Sequence, residues 1–391
     1  MHQRSVQTIL RNRLRRLQSR QNASVEDFPR SSLVIRRLKS TSSPADAPVA
    51  PGFIFDIDGV LKIGEKVLPQ GHKALQILSG DNKLSRRFPF ILVTNGGGIS
   101  EEERCYKLSR ELGIELSVDQ LIQSHTVFRE QAKNFGDKPI LIVGGTGHSC
   151  REVARSYGFK KVYTPHDLLA WRQELWPFKS LTENDEKSVQ RVDFSQVPFS
   201  AIFVFHDSRD WGFDTQIMLD VLMSPDGTVT TWRDPEAEWT QQVPVFFSNP
   251  DLLWGNDWPE PRLGQGAFQE AFRAVWRRTS GRELEATTGG KPTKLTYQHA
   301  ERLLLAQANH PDILPPGGRQ VQKLGPTFMI GDNPFSDIAG ANAYGLSSIL
   351  VRTGVFRGKD NHAEHPATTV QPDVLAAVRW ALKKELGEDI V

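Results

Sequence analysis

An α/β fold built on parallel sheets is what this sequence predicts, and three observations carry the prediction. Strand-like and helix-like segments alternate from about residue 53 onward, which indicates parallel strands with helices on both faces. Several apolar runs end in polar residues or glycines, as strands do where a site lies at their carboxyl ends. The composition, 38% hydrophobic and 24% charged over 391 residues, suits a globular protein of two to three domain-sized units.

Taken in order, the chain opens on a basic segment. Residues 1 to 40 hold ten Lys and Arg against two acids, Glu26 and Asp27, a net +8 that leaves −6 for the rest of a chain whose total is +2. A mildly acidic body gives no reason to expect nucleic-acid binding. In "SVQTILRNRLRRLQSR", Val6, Ile9, Leu10, Leu14 and Leu17 fall on one helical arc and arginines occupy most of the rest. Residues 1–45 therefore read as a mitochondrial transit peptide and linker, with a matrix destination, and a disordered basic arm is the alternative. "STSSPADAPVAPG" is linker-like. "FIFDID" is the first strand and "PQGHKALQILS" a helix. "FPFILVTNGGG" is a second strand, and "SEEERCYKLSRELGI" begins a helix at Ser100 with acids in its first turn. "KLGPTFMIGDN" and "LSSILVRTG" are later strands. No run approaches the length of a membrane span, and two cysteines, Cys105 and Cys150, make neither a disulfide framework nor a zinc site.

Four strand ends stand out: Asp56 with Asp58, Thr94 with Asn95, Lys291 in "GGKPTK", and Asp332 with Asp337 in "GDNPFSDIAGA". Asp56 and Asp58, two apart on a strand, would point into one volume, where like charges push one pKa up unless a cation intervenes. Each motif alone is also an acceptable turn or loop. Together they supply what an acyl phosphate needs: a carboxylate nucleophile, a neighbouring acid for the leaving group, donors for phosphoryl oxygens, and carboxylates for a hard cation.

The order D-x-D-G-V-L, T-N, G-K-P, G-D-x-x-x-x-D over residues 53 to 385 resembles the haloacid dehalogenase (HAD) superfamily. Within it the pattern is similar to subfamily IIA, the NagD and p-nitrophenyl phosphatase type, and to its mitochondrial cat-eye-syndrome critical region type, which also ends the fourth motif with S-D, here Ser336-Asp337. The resemblance implies a Rossmann-like core and a magnesium-dependent phosphatase for a small phosphorylated metabolite. Asp56 would be the nucleophile and Asp58 the general acid and base. Thr94, the Asn95 backbone amide and Lys291 would hold the phosphoryl group. Mg2+ would lie on the Asp56 carboxylate, the Asp58 carbonyl and Asp332, with Asp337 ordering its waters. Presence of Asp58 separates such phosphatases from true dehalogenases, which need no proton for halide.

Asn95 and Lys291 are 196 residues apart, too far for one crossover, so a domain is inserted between them. The resemblance makes it an α/β cap of the C2 type. The expected division is core over 52–124, cap over 125–263 and core over 264–391, with a homodimer through the cap. Arg209, Asp210 and Trp211 in "HDSRDWGF" are expected to contact substrate from the cap. Residues 176–196 and 308–323 read as surface insertions. "VGGTGHSC" lacks a full dinucleotide fingerprint, and His125, His148 and His206 read as structural. Two other classes stay open: a catalytically silent mitochondrial interaction protein of the same fold, and a phosphatase or transferase step linked to glycerophospholipid synthesis.

Overall fold

The computed structural model describes residues 50–391, apart from 235, 255–257, 259, 261 and 315–319. The basic segment and most of the linker lie outside the described residues.

Two parallel sheets organise the molecule. The first has six strands in the order Thr369–Gln371, Ser347–Val351, Thr327–Gly331, Gly52–Phe55, Phe90–Val93 and Leu121–Ile122. Alternation along the strands sorts side chains to two faces. Phe53, Phe55, Phe328 and Ile330 pack on one face against Ala74 and Leu78 of the helix Pro69–Leu78 and Val378 and Leu382 of the helix Val374–Leu386. Ile54, Ile91, Val93 and Met329 pack on the other against Tyr297, Ala300 and Leu304 of the helix Lys294–Ala308. The helix Glu101–Leu112 starts as the sequence predicts: Ser100 Oγ accepts from Glu103 N at 3.1 Å, and Gly113 closes it in the left-handed region at φ 65°.

The second sheet has five strands, ordered Ala286–Thr288, Val245–Phe247, Ala201–Val204, Pro139–Val143 and Lys161–Tyr163. The helices Trp211–Met223 and Gln265–Ser280 cover one face, where Phe213, Ile217, Phe268, Phe272 and Trp276 are buried. This corrects the expected boundary at 263. Residues 265–288 do not return the chain to the first sheet. They add a helix and an edge strand to the second one, because the apolar stripe of Phe268, Phe272 and Trp276 matches the face carrying Ile202, Val204 and Val245. The segment 176–196 is more than a surface loop: it carries the short helix Glu183–Ser188 and buries Phe194 completely. Short antiparallel ribbons join Lys62–Ile63 to Lys66–Val67 and Leu253–Trp254 to Arg262–Leu263.

Candidate active site

The first strand ends at Phe55, so Asp56 and Asp58 stand in the loop beyond it rather than on one strand face. Asp56 Oδ1 accepts from the backbone N–H of Ile57 at 2.8 Å and from Lys291 Nζ at 2.7 Å. Its Oδ2 has no hydrogen bond among the described residues. Asp58 is exposed beside it.

Lys291 reaches Asp56 from an unexpected direction. It follows the edge strand Ala286–Thr288 of the second sheet, and it is buried with its ammonium also 2.8 Å from Asp337 Oδ1. Asp337 lies in the π-helical turn Pro334–Ile338, where its Oδ2 accepts from Asn333 N at 3.0 Å. Asp332 follows the strand Thr327–Gly331 and its Oδ2 accepts from Val355 N at 2.6 Å. Gly59 and Gly354 make room for it: a Cβ on either would stand 2.4 or 2.0 Å from Asp332 Oδ2. Gly59 also takes a φ of 83°, which suits glycine.

One carboxylate oxygen from each of Asp56, Asp332 and Asp337 lies within 4.8 Å of the others. Three acids converge beside one buried ammonium that pairs with two of them, and the electrostatics follow. Burial pushes the Asp56 carboxyl up, Lys291 pulls it back and Asp58 pushes it further. Asp332 is raised well above the usual carboxylate range by burial and then by Asp56 and Asp337. Burial also takes Asp337 up to about 6 despite Lys291. Desolvation works to lower the Lys291 ammonium, and Asp337 and Asp56 more than reverse it. Hard oxygen donors with an excess of negative charge fit a divalent cation such as magnesium.

Thr94 and Asn95 follow the strand Phe90–Val93, and both are buried. Thr94 Oγ1 accepts from Gly96 N at 3.0 Å, which leaves its hydroxyl hydrogen to donate elsewhere. Asn95 is more than a backbone donor. Its side chain clamps Lys291, with Oδ1 accepting from Lys291 N at 2.7 Å and Nδ2 donating to Lys291 O at 2.9 Å. The same Nδ2 donates to Asp251 Oδ2 at 2.9 Å. Asp251 escaped the sequence reading because "NPD" after a strand reads as a turn; the polar strand end itself was the available signal.

Among the residues of the second sheet, Arg209 and Trp211 line a cleft of about 310 Å³ with Trp254, Arg262, Gln265 and Phe268. Asp210 is not part of that lining. It caps the helix Trp211–Met223 through Phe213 N at 3.2 Å and pairs with Lys179 at 3.3 Å. His206 and His125 abut the glycines after Asn95: a Cβ on Gly98 would meet His206, and one on Gly97 would meet His125. His148 precedes the helix Ser149–Ser156.

Comparison with known proteins agrees with this architecture. Residues 53–160 match the haloacid dehalogenase-like hydrolase family, and residues 288–377 match a HAD-hydrolase-like family. The chain is 40% identical over 350 residues to a cardiolipin synthase (CMP-forming)/mitochondrial hydrolase fusion protein of Schizosaccharomyces pombe, a match covering 89% of this chain and 56% of that protein. The chain thus spans little more than half of that relative. It is 37% identical over 347 residues to a mitochondrial hydrolase of Saccharomyces cerevisiae, covering 85% of this chain and 95% of that one. Its fold is similar to a hypothetical protein of Pyrococcus horikoshii (TM-score 0.56, 20% identity, 85% and 99% of the two chains). A 4-nitrophenylphosphatase of Thermotoga maritima shares it too (TM-score 0.55, 16% identity, 84% and 96% of the two chains). On the fold, the motif order and the full-length yeast relative, the chain belongs to the haloacid dehalogenase-like hydrolase family.

Proposed function

We propose that the protein is a phosphatase that hydrolyses a small phosphomonoester through an aspartyl phosphate on Asp56. The observation that carries this reading is the asymmetry of the Asp56 carboxylate: Oδ1 is held by Lys291 and Ile57 N, and Oδ2 is left open toward the site. Oδ2 attacks phosphorus, the bond to the leaving oxygen breaks, and Asp58 gives that oxygen its proton. Asp58 then takes a proton from the water that attacks the acyl phosphate, which releases phosphate and restores Asp56. Thr94 and the Asn95 N–H donate to phosphoryl oxygens, and Lys291 holds positive charge beside them. Asp56, Asp332 and the Asp58 carbonyl would hold magnesium, with Asp337 outside them; the cation supplies charge neutralisation for an incoming dianion. The T. maritima neighbour, by name a 4-nitrophenylphosphatase, is consistent with this class.

Both yeast relatives are named mitochondrial hydrolases, and together with the basic amphipathic segment they support a mitochondrial site of action. The S. pombe relative joins its hydrolase to a cardiolipin synthase, which favours, as a second reading, a substrate drawn from glycerophospholipid synthesis. Arg209 and Trp211 in the cleft then meet the leaving group. The test is phosphate release from a panel of phosphomonoesters with magnesium, glycerophosphate esters included. Asp56→Asn is expected to reduce turnover by a factor on the order of 10⁴ or more. A folded wild-type protein inert across the panel would favour an interaction protein instead.

A further inference from the structure

We infer that Asp251 is a positioning residue for Lys291, acting through the Asn95 side chain to fix the lysine that the second sheet delivers to the carboxylates of the first. The inference rests on the phosphatase reading for its kinetic consequence, and on geometry alone for the linkage.

Two neighbouring strands of the second sheet, Val245–Phe247 and Ala286–Thr288, run parallel with Phe247 opposite Thr288. Their carboxyl ends carry Asp251 and Lys291 to the same place. Between them there is no spare room: a Cβ on Gly290 would stand 2.7 Å from Ser248 O, 2.9 Å from Asn95 Oδ1 and 3.0 Å from Pro250 Cδ. Into this junction the first sheet inserts Asn95, which is buried.

Both amide hydrogens and the carbonyl oxygen of Asn95 are engaged. Oδ1 takes Lys291 N, one Nδ2 hydrogen goes to Lys291 O, and the other goes to Asp251. An amide can rotate by half a turn and exchange its oxygen and nitrogen with little change of shape. Here the exchange would set Oδ1 against the Asp251 carboxylate and Lys291 O, and Nδ2 against the Lys291 N–H. Asp251, acceptor-only when ionised, adds to the opposition that the Lys291 N–H and C=O already present to the released orientation. Asp251 has no other side-chain partner among the described residues. A partly buried carboxylate with one hydrogen bond is costly to keep, and burial pushes its carboxyl up to about 7 against the pull of Asn95 and Lys291. Its own N–H is satisfied locally by Asn249 Oδ1 at 2.8 Å, so the turn does not need the carboxylate.

The consequence is mechanical. Lys291 Nζ bridges Asp56 and Asp337, and a displacement of its backbone by about 1 Å is enough to lower catalysis by roughly 100-fold. The loss falls on kcat, because the lysine serves charge that develops as phosphorus is transferred.

The experiment is a double-mutant cycle on the full chain with 4-nitrophenyl phosphate and magnesium. Asp251→Ala is expected to lower kcat by roughly 10- to 100-fold with KM changed less than about 3-fold. Asp251→Asn, which keeps an acceptor oxygen, is expected to recover most of that loss. Asn95→Ala with Asp251→Ala is expected to match Asn95→Ala alone. Additive losses, or an Asp251→Asn variant as poor as Asp251→Ala, would overturn the inference. Wild-type protein without turnover would instead defeat the phosphatase reading. In that case a crystal structure of Asp251→Ala decides the linkage: the Asn95 amide released from Lys291 supports it, and both contacts retained at their present lengths refutes it.

Discussion

Each sheet buries a cluster of charge, and the two clusters follow opposite rules. Beside the second sheet Arg151 and Asp167 are both buried and matched in charge, although Arg151 Nε has no hydrogen-bond partner among the described residues. Arg151 Nη2 stands 2.7 Å from each Asp167 oxygen, and those oxygens also accept from Thr164 N at 2.8 Å and Gln190 N at 2.7 Å. Arg151 Nη1 finishes on Ser188 O at 2.8 Å. At the carboxyl ends of the first sheet, Asp56, Asp332 and Asp337 converge, and the Lys291 ammonium pairs with only Asp56 and Asp337. One cluster is neutral, with its carboxylate fully satisfied, and it ties the helix Ser149–Ser156 to the helix Pro165–Trp171. The other carries surplus negative charge and raised carboxyls, which makes a stable fold harder to reach and a bound cation or phosphoryl group easier to hold. Burial alone does not distinguish structural charge from functional charge; the balance of the cluster does.

The largest expected effect breaks the matched side of that contrast. Asp167→Ala leaves the Arg151 guanidinium buried without its carboxylate and strands two backbone N–H groups, so it should lower unfolding free energy by roughly 3–5 kcal/mol. A urea titration measures it. A loss below about 1 kcal/mol would mean that solvent already reaches this pair.

How much of this was legible in the sequence depends on what each feature answers to. Asp56, Thr94, Asn95 and Asp332 follow apolar strands whose ends the residue pattern marks, and the structure brings them together with Lys291 and Asp337. The origin of Lys291 was not legible. "ATT" is three residues long, and nothing in it says which sheet it will join; the decision is made by Phe268, Phe272 and Trp276, which fit the second sheet's face. That is why the boundary expected at 263 moves to 288. Asp210, read beside Arg209 and Trp211 as a ligand contact, also carries a helix cap that the residue pattern did not announce. Asp251 and the Val355 backbone that holds Asp332 depend on chain segments far apart in sequence, which periodicity does not report.

A third buried group lies where the sheets meet and sharpens the contrast through pH. Glu101, from the first sheet's helix Glu101–Leu112, accepts from Thr126 Oγ1 at 2.6 Å, from Tyr157 Oη, and from Arg129 Nη2 at 3.3 Å. His125 is fully buried there, with Nδ1 2.8 Å from Tyr157 Oη. Burial lowers its pKa from 6.5 to about 4, although Glu101 opposes the shift; His206 and Arg129 add to it. Between those values the unfolded chain binds a proton that the folded chain refuses, so stability falls as pH drops. The loss from neutral pH to about pH 5 should be roughly 2 kcal/mol from this ring. His125→Gln should remove that much of the acid-side slope, measured as denaturant midpoints at both pH values. An unchanged slope would assign it to other histidines.

The smallest expected effect has the most telling sign. Burial, then Asp56 and Asp337, favours the protonated form of Asp332, so without a cation its contribution is favourable in acid and turns unfavourable as pH rises above about 4. Asn mimics the protonated carboxyl and keeps an acceptor for Val355 N. In chelator at neutral pH, Asp332→Asn should therefore stabilise the fold by on the order of 1 kcal/mol, as relief of buried like charge often does. Magnesium should reverse the ranking: a ligand that binds only the folded state stabilises it in proportion to its affinity, and the variant lacks one of the two carboxylates, Asp56 and Asp332, that would hold the cation. The paired control is Asp167→Asn, which should destabilise in chelator and stay indifferent to magnesium. Equal signs for the two substitutions would mean that the carboxylates of the first sheet are as well satisfied as the ion pair of the second, and the cation site would then have to be sought elsewhere.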